Sequence, residues 1–444
     1  MRSAGFYAAA VLLVLAAGFV VFDLAAQRPA SSDISLTPEK TVLTFRHFWV
    51  EEHDRPMNEI FTETVARFEQ AYPDIEIVME GLPQQAHREQ RLKAEMVTGN
   101  PPHLFLVFGG AELHPYVAAG RMMDLTGFLE RSGLRDDFRD LSMWTFDGRV
   151  YGLPLEGFSE PLYYNRRLFE QLRLEPPRTW EDLLRVSDRL KEAGYIPLAL
   201  GNRDRWPGAI LYHYLLHRHG GQEQIDAIVQ GEASFVNEAY VEASRKLVEM
   251  GRRGLFPDEV DQLDHDEGAV SLFIRGRAAM FLGGSWNANQ FEQPRVSPDF
   301  EANVGVTLFP ALREGMPQDI AAGFSMGIGV SSNLSPAEQT AVERFLEFVF
   351  TADVQRRIFE QALREPSMNI LVDLSRVGPV FSDVMRVTRQ AKGSFMAYDH
   401  LLPPAVKEAF YDASQALISG LSDPHTELYR LQSVMEAWRR ENGR

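Results

Sequence analysis

The stretch LKAEMVTGNPPHLFLVFGG, residues 92–110, indicates the fold class of this chain. Its first half predicts a helix, which residues 99–102 (GNPP) end because glycine and proline do not continue a helix. The apolar run at 103–108 predicts a strand that is buried on both faces and stops at Gly109 and Gly110. A helix followed by such a strand is the repeating unit of a parallel α/β sheet.

The same alternation of strands and helices continues along the chain. Residues 41–49 (TVLTFRHFW) and 75–79 predict strands, and residues 57–72 place their apolar side chains on one helical face. Thr179 and Ser335 each begin a helix in the capping-box pattern. We therefore expect an α/β protein whose parallel sheets are covered by helices on both faces.

The N-terminus predicts an export signal. Arg2 precedes the uninterrupted apolar run 6–22, and residues 24–27 (LAAQ) offer small side chains for cleavage. We expect residues 1–26 to be a signal peptide. An uncleaved membrane anchor is the alternative, because the run is close to the lower limit for a membrane span, about 17 residues. Residues 27–40 are expected to be a polar linker.

Composition excludes several classes of function. The 444 residues suggest two or three domains, and they include no cysteine, which excludes disulfides, thiolate zinc sites, a cysteine nucleophile and a lipid-modified cysteine. The 62 Asp and Glu exceed the 45 Lys and Arg, for a net charge of −17. This acidity argues against a nucleic-acid partner, and it also argues against long-range attraction of an anionic ligand.

Candidate ligand contacts follow the predicted strands, because open α/β sheets bind ligands beyond the carboxyl ends of their strands. Aromatic and planar polar side chains are concentrated there, and they suit the C–H faces and hydroxyls of sugars. A core position is the alternative reading for each aromatic residue. The candidates at these ends are Trp49, Glu51, Phe108, Gly109, Gly110, Glu112, Ser285 and Trp286.

The order of motifs along the chain resembles a known family. The motifs include residues 68–77 (FEQAYPDIEI), 151–172 (YGLPLEGFSEPLYYNRRLFEQL), 273–291 (FIRGRAAMFLGGSWNANQF) and 337–358 (AEQTAVERFLEFVFTADVQRRI). Together with the segments between them, covering about 41–440, they resemble extracellular solute-binding protein family 1, the sugar-binding components of ABC importers.

The resemblance implies two interleaved α/β lobes, joined by crossover strands, with a ligand cleft between them. Carried over, lobe one would comprise 41–156 plus 267–324, and lobe two would comprise 157–266 plus 325–444. The family pattern adds four candidate ligand contacts: Phe158, Trp206, Phe324 and Tyr398.

The function implied by the resemblance is binding without catalysis. The ligand would be a mono- or oligosaccharide, and the membrane subunits of an ABC permease would be the partner. We expect an exported, periplasmic monomer with no cofactor and no bound metal. A membrane-anchored ligand sensor is the alternative within this class.

Two further patterns point to other chemistry. Residues 323–327 fit the G-x-S-x-G pattern of a serine hydrolase with Ser325 as nucleophile, but that motif needs a strand-to-helix elbow after the serine. The residues after Ser325 instead continue as a strand, which disfavours a hydrolase. His213 and His217 share a helical face and form a possible metal pair, but the sequence identifies no third ligand.

Overall fold

The computed structural model describes residues 40–292 and 296–442. From Thr41 onward these residues belong to one compact unit. The expected signal peptide, 1–26, and the expected linker up to residue 39 lie outside the described residues. Within the described residues, every helix is too short or too polar to cross a membrane.

The strands form a larger and a smaller sheet and one short hairpin. They are β1 (Thr41–His47), β2 (Ile75–Gly81), β3 (Leu104–Phe108), β4 (Thr145–Phe146), β5 (Arg149–Val150), β6 (Gly152–Ser159), β7 (Leu162–Asn165), β8 (Ile196–Ala199), β9 (Ala278–Leu282), β10 (Val304–Thr307), β11 (Ile320–Val330), β12 (Glu365–Pro366) and β13 (Ser394–Phe395).

The helices cover the faces of both sheets. They are α1 (Arg55–Ala71), α2 (Lys93–Thr98), α3 (His114–Ala118), α4 (Thr126–Ser132), α5 (Arg166–Leu172), α6 (Trp180–Glu192), α7 (Trp206–Gln230), α8 (Glu238–Arg252), α9 (Ser271–Ile274), α10 (Asn287–Phe291), α11 (Pro298–Ala302), α12 (Pro336–Val349), α13 (Ala352–Ala362), α14 (Pro379–Gln390), α15 (Tyr398–Leu401), α16 (Pro404–Ile418) and α17 (Pro424–Glu441).

Both sheets mix parallel and antiparallel pairing. The larger sheet has the order β12-β6-β11-β3-β1-β2, in which β1 is parallel to β2 and β3, whereas β11 is antiparallel to β3 and β6. The smaller sheet has the order β10-β7-β9-β8, and only β8 and β9 pair in parallel. The expected parallel pairing therefore holds for β1 with β2 and β3 and for β8 with β9, whereas strands that cross from one lobe to the other pair antiparallel with their neighbours.

Each sheet has its own hydrophobic core. Around the larger sheet, Phe45 on β1 and Leu106 on β3 are fully buried together with Phe345 on α12. Around the smaller sheet, Met280 on β9 is buried with Tyr212 of α7. We call these halves the first lobe, residues 41–159 and 320–366, and the second lobe, residues 162–307 and 379–441.

The lobe boundaries differ from those expected. Strands β9 and β10, within 267–324, pair with β7 and β8 in the second lobe. The end of β11, after residue 325, pairs with β3 in the first lobe, and α12 packs against that core. The last crossing lies after β12, not near residue 325. The assignment to lobe one is therefore wrong for most of 267–324, and the assignment of 325–444 to lobe two is wrong only up to residue 366.

Helix ends were predictable from local chemistry. At Thr179 the side chain accepts a hydrogen bond from the Asp182 N–H, and the Asp182 carboxylate bonds back to the Thr179 backbone. Ser335 and Glu338 form the same reciprocal pair at the start of α12. Both predicted capping boxes are confirmed, because each depends only on residues three apart.

Candidate functional site

A cavity of about 530 Å³ lies between the two lobes. The first lobe contributes Phe108, at the end of β3, and Phe158, on β6. The second lobe contributes Trp206, at the start of α7, and Trp286, after the end of β9. The volume falls within the range of small-molecule sites, about 300–1,000 Å³. This cavity is therefore the candidate ligand site.

Aromatic rings follow one another along the cavity. The centroid of Trp206 lies 6.2 Å from that of Trp286, which lies 6.4 Å from that of Phe158. His400 is 5.7 Å from Phe158 and 5.1 Å from Phe108. A row of ring faces at this spacing offers repeated apolar contact to a ligand built from several flat units.

The loop after β9 holds Trp286 in place. Its ring lies against Gly284, where an added Cβ would come within 2.0 Å of Trp286 Cζ3, so no larger residue fits there. The Asn287 side chain accepts a hydrogen bond from the Gly284 N–H at 3.0 Å and donates to His265 Nε2 at 3.0 Å. The glycine and the asparagine thus fix the orientation of the tryptophan.

A strained residue precedes Trp206. Arg205 has a φ of 65°, a left-handed conformation that residues other than glycine rarely adopt. Its guanidinium bonds to Asp412 at 2.6 Å and to Glu408 at 2.9 Å on α16. These two ion pairs hold Arg205, and α7 begins at Trp206 directly after it.

At one end of the row of rings lies a balanced group of charges, the Glu112 cluster: Arg88, Glu89, Glu112 and Lys407. Arg88 Nε donates to Glu112 at 3.0 Å, and the Arg88 guanidinium lies 4.1 Å from the centroid of Phe108. Lys407 Nζ lies 3.5 Å from Glu89 and 3.6 Å from Glu112. Burial alone would raise the pKa of Glu112, but the charges of Arg88 and Lys407 lower it to about 2.

A second group, the Arg364 cluster, contains Asp54, Glu156 and Arg364. The Arg364 guanidinium lies 3.0 Å from Asp54 and 3.4 Å from Glu156 Oε1. Burial raises the pKa of Glu156 to about 7. The positive charge of Arg364 opposes this shift only in part, and the negative charge of Asp54 increases it. Glu156 Oε2 is buried without a hydrogen-bond partner within the described residues.

Both clusters lie beside contacts that join the lobes. Lys407 belongs to the second lobe and Glu112 to the first, and nearby the Ala111 N–H donates to the His400 carbonyl at 3.1 Å. At the other cluster, Arg364 Nη1 donates to the Trp286 carbonyl at 3.4 Å. The described conformation therefore has the lobes in contact on both sides of Phe158.

Half of the sequence candidates lie at the cavity, and half do not. Those that line it are Glu51, Phe108, Glu112, Phe158, Trp206 and Trp286. Those that do not line it are Trp49, Gly109, Gly110, Ser285, Phe324 and Tyr398.

Trp49 and Tyr398 belong to hydrophobic cores, so we remove them from the site. Trp49 is 3 % exposed, and its ring centroid is 4.5 Å from that of Phe61. Tyr398 is fully buried and packs with Phe410 of α16. The residues after Tyr398 line the cavity instead, because α15 directs Tyr398 inward.

Hydrogen bonds within the protein explain why Gly109, Gly110 and Ser285 are also removed from the site. The Gly109 N–H donates to the Ser325 carbonyl at 2.7 Å, and the Gly110 N–H donates to the Met143 carbonyl at 2.6 Å. Neither N–H group is therefore free to donate to a ligand. Ser285 Oγ accepts a hydrogen bond from the Ser159 N–H at 3.2 Å, which joins the loop after β9 to the end of β6.

Phe324 faces away from the cavity while its neighbour Ser325 lines it. The Phe324 ring covers Gly157, where an added Cβ would meet it at 2.6 Å. The pairing of β11 with β6 shifts register between Gly323 and Met326, which marks a bulge at Phe324 and Ser325. Bulges redirect side chains near binding sites, and no residue pattern in the sequence signals this one.

Several charged cavity residues were not predicted from the sequence. Arg88, Arg364 and Lys407 line the cavity, although the sequence marks each only as a charged residue on or beside a helix. His400 lies two residues after the candidate Tyr398 and lines the cavity, whereas Tyr398 does not. The sequence does not show which of two neighbouring residues on a helix points into the cavity, so it could not single out these residues.

The hydrolase and metal readings have no structural support. Ser325 lies within β11, which continues to Val330, and the next helix begins at Pro336, so the elbow that a nucleophilic serine requires does not form. His213 Nε2 bonds to Glu160 at 2.7 Å, and His217 bonds to Asp319 at 3.2 Å. Across residues 40–292 and 296–442, His, Asp and Glu do not gather in groups of three or more that could hold a metal.

Comparison with known proteins identifies the class. The family model for the bacterial extracellular solute-binding protein matches residues 51–356. This match spans more than half of the chain, which therefore belongs to that family. The resemblance inferred from the motif order is confirmed, and so is the two-lobed periplasmic-binding-protein fold.

Individual relatives agree with this assignment. An uncharacterized ABC transporter extracellular-binding protein of Pyrococcus horikoshii is 26% identical over 356 residues, which cover 78% of this chain and 75% of the relative. The maltodextrin-binding protein of Bacillus subtilis is 27% identical over 349 residues, 76% of this chain and 75% of the relative. The structure of a chitin oligosaccharide binding protein has a TM-score of 0.85 at 29% identity, and the match covers 90% of this chain and 99% of that one.

Proposed function

We propose that this protein is the substrate-binding component of an ABC importer, which binds a mono- or oligosaccharide between its lobes and delivers it to a membrane permease. The observation that carries the proposal is the row of rings from Trp206 to Phe108 inside the cavity between the lobes. Relatives named for maltodextrin and chitin oligosaccharide binding support a carbohydrate ligand. The role is binding, and we assign no catalytic residue.

The contacts we propose come from both lobes. Trp206, Trp286, Phe158 and Phe108 would stack on sugar rings, because aromatic faces complement the C–H faces of carbohydrates. Glu51, which is exposed and lines the cavity, would accept hydrogen bonds from sugar hydroxyls. Glu112, also a sequence candidate, is occupied by Arg88 and Lys407 and would act by holding the cavity wall.

Closure of the lobes would couple binding to delivery. A ligand that touches both lobes favours the conformation in which they meet, by its differential affinity for that conformation. The contacts Lys407–Glu112 and Arg364–Trp286 already join the lobes in the described conformation. The closed form would then present one continuous surface to the permease.

We further propose an exported, periplasmic monomer whose N-terminal segment 1–26 is removed. N-terminal sequencing of the protein recovered from the producing cell tests this proposal. A chain that starts near Gln27 would support cleavage, whereas a chain that starts at Met1 would favour the anchored sensor. Size-exclusion chromatography with light scattering would reveal whether the protein is a monomer.

A thermal-shift screen of the purified protein against sugars, amino acids and metal ions tests the binding function. A ligand at about 100 times its Kd stabilises the native state by about 2.7 kcal/mol, which raises the melting temperature by several degrees. We expect a shift with at least one mono- or oligosaccharide. Shifts with amino acids or metal ions alone would contradict the proposal.

A pair of tryptophan variants locates the binding. Trp286→Ala should weaken sugar binding by about 2–4 kcal/mol, as is typical for a buried aromatic anchor. Trp438→Ala, on α17 and outside the cavity, is the matched control, and isothermal titration calorimetry should find its affinity unchanged. Equal losses in both variants would remove Trp286 from the site.

A further inference from the structure

The candidate cavity carries an excess of negative charge. Ten carboxylate side chains line it against five Lys and Arg side chains, which leaves five carboxylates in excess. The five cations are Arg88, Arg203, Arg205, Arg364 and Lys407. Each lies within 3.5 Å of a carboxylate oxygen. Every cation in the lining is therefore already paired, and the excess of carboxylates disfavours an anionic ligand.

The shortage of cations is greatest at the Arg364 cluster. One guanidinium serves two carboxyl groups there, Asp54 and Glu156, so the cluster carries a net negative charge whenever Glu156 is ionised. The Glu156 side chain is only 15% exposed, and its Oε2 is buried without a partner in the described residues. Leaving a buried carboxylate oxygen unbonded costs free energy, which a hydrogen-bond donor from a ligand would recover.

A second unpaired group lies on the neighbouring strand. Ser325 is 1% exposed, lines the same cavity, and its Oγ has no hydrogen-bond partner among the described residues. Its neighbour Met326 on β11 pairs with Glu156 on β6. An unbonded carboxylate oxygen and an unbonded hydroxyl thus belong to two paired strands that line the same cavity, and such acceptors suit a ligand group with several donors, such as an ammonium.

The tryptophan end of the cavity adds to the preference for positive charge. Asp204 and Asp266 line the cavity and form no ion pair with a described Lys or Arg. Burial lowers the pKa of His265, which lies near both, although the charges of Asp266 and Asp204 oppose that shift. The neutral form of the imidazole is therefore favoured, and it does not cancel the two negative charges. The rings of Trp206 and Trp286, 6.2 Å apart and inclined by 59°, offer faces that attract cations.

We infer that the cleft selects sugars that carry a protonated amine, with Glu156 and Ser325 receiving the ammonium group. The inference deepens the proposed carbohydrate function and rests on it. The ammonium donates to Glu156 Oε2 and Ser325 Oγ and cancels the net charge of the Arg364 cluster. Asp204 and Asp266 raise the local concentration of the cationic sugar at the cavity mouth.

Matched pairs of sugars test this selectivity in the full exported protein. Isothermal titration calorimetry compares glucose with glucosamine, galactose with galactosamine, and cellobiose with the two-unit glucosamine oligomer. The tightest amino sugar should bind about tenfold or more tightly than its neutral counterpart, because charge-assisted hydrogen bonds are roughly twice as strong as neutral ones. Neutral members that bind as tightly as amino members would overturn the inference and leave the carbohydrate function standing. Failure of every sugar would overturn both.

Charge-removing variants locate the ammonium. Glu156→Gln should weaken binding of the amino sugar about tenfold or more and change neutral-sugar binding less than about threefold. Glu347→Gln removes one negative charge from an exposed position on α12 outside the cavity, and it should leave both affinities unchanged. Circular dichroism verifies that each variant is folded. Equal losses for amino and neutral sugars in Glu156→Gln would contradict the assignment of Glu156 to the ammonium.

Discussion

The two charged clusters of the cleft use the same residue types in opposite proportions. The Glu112 cluster has two cations, Arg88 and Lys407, for two carboxylates, and the pKa of Glu112 falls to about 2. The Arg364 cluster has one cation for two carboxylates, and the pKa of Glu156 rises to about 7. Burial raises the pKa of both carboxyl groups, so the number of neighbouring cations decides whether the net pKa shift is downward or upward.

This difference indicates different roles. At the Glu112 cluster every charge is paired within the protein, and Lys407 carries the pairing from one lobe to the other. Such a cluster stabilises the wall of the cleft and leaves little for a ligand to satisfy. At the Arg364 cluster Glu156 Oε2 remains unbonded, so a ligand can complete the pairing. The first cluster is structural, whereas the second is a candidate for recognition.

The largest expected effect is the loss of stability in Glu112→Gln. This change removes the Glu112 carboxylate from Arg88 and Lys407, both 12% exposed or less, and leaves Glu89 as their one remaining carboxylate in the cluster. Breaking a buried pair by removing one partner costs about 3–5 kcal/mol. Urea unfolding followed by tryptophan fluorescence would measure the free energy of unfolding.

Glu156→Gln is the matched comparison at the other cluster. Because Asp54 still pairs with Arg364, we expect this variant to lose less than about 1 kcal/mol at neutral pH. If the two substitutions were equally destabilising, the distinction between a structural and a recognition cluster would fail.

A smaller effect is expected for Lys407→Met, which removes the cation that bridges the lobes while keeping its aliphatic bulk. Without ligand, the variant should populate open conformations more, because one interlobe ion pair is lost. Small-angle X-ray scattering should therefore show a larger radius of gyration than for the wild type. Sugar affinity should fall by a few-fold, since the ligand must then supply more of the closure free energy. An unchanged radius and affinity would show that Lys407 does not contribute to closure.

The most specific effect is an opposite pH dependence of stability at the two carboxyl groups. The lowered pKa of Glu112 means that its stabilising contribution is present above about pH 4.5 and is lost as the pH falls towards 2. The raised pKa of Glu156 means that its contribution is present below about pH 4.5 and is lost as the pH rises through 7.

Unfolding curves for both Gln variants and the wild type across this pH range test the direction in which each group's contribution to stability changes with pH. The stability difference between Glu112→Gln and the wild type should shrink on acidification. Glu156→Gln should gain stability relative to the wild type as the pH rises from about 4.5 to above 7. Parallel pH profiles for the two variants would contradict the assigned shifts.

Local chemistry made part of this molecule predictable from sequence. The capping boxes at Thr179 and Ser335 follow from contacts three residues apart, and the position of Trp286 after a buried strand placed it at the cavity. The family resemblance supplied the lobes and the cleft.

The remainder depends on contacts between distant segments. Trp49 and Trp286 both follow a strand, but only packing against Phe61 reveals that Trp49 belongs to the core. Arg364 meets Asp54 across 310 positions of sequence, and no local pattern signals that pair. The bulge that turns Ser325 towards the cavity depends on the register between β6 and β11, which the residue pattern of either strand alone does not set.

A crystal structure of the protein with its tightest-binding sugar tests the central claim most directly. We predict sugar rings stacked on Trp206, Trp286 and Phe158 between the lobes, with a ligand donor within hydrogen-bond distance of Glu156 Oε2. A sugar bound outside this cavity, or one that leaves Glu156 Oε2 unbonded and touches none of the three rings, would contradict it.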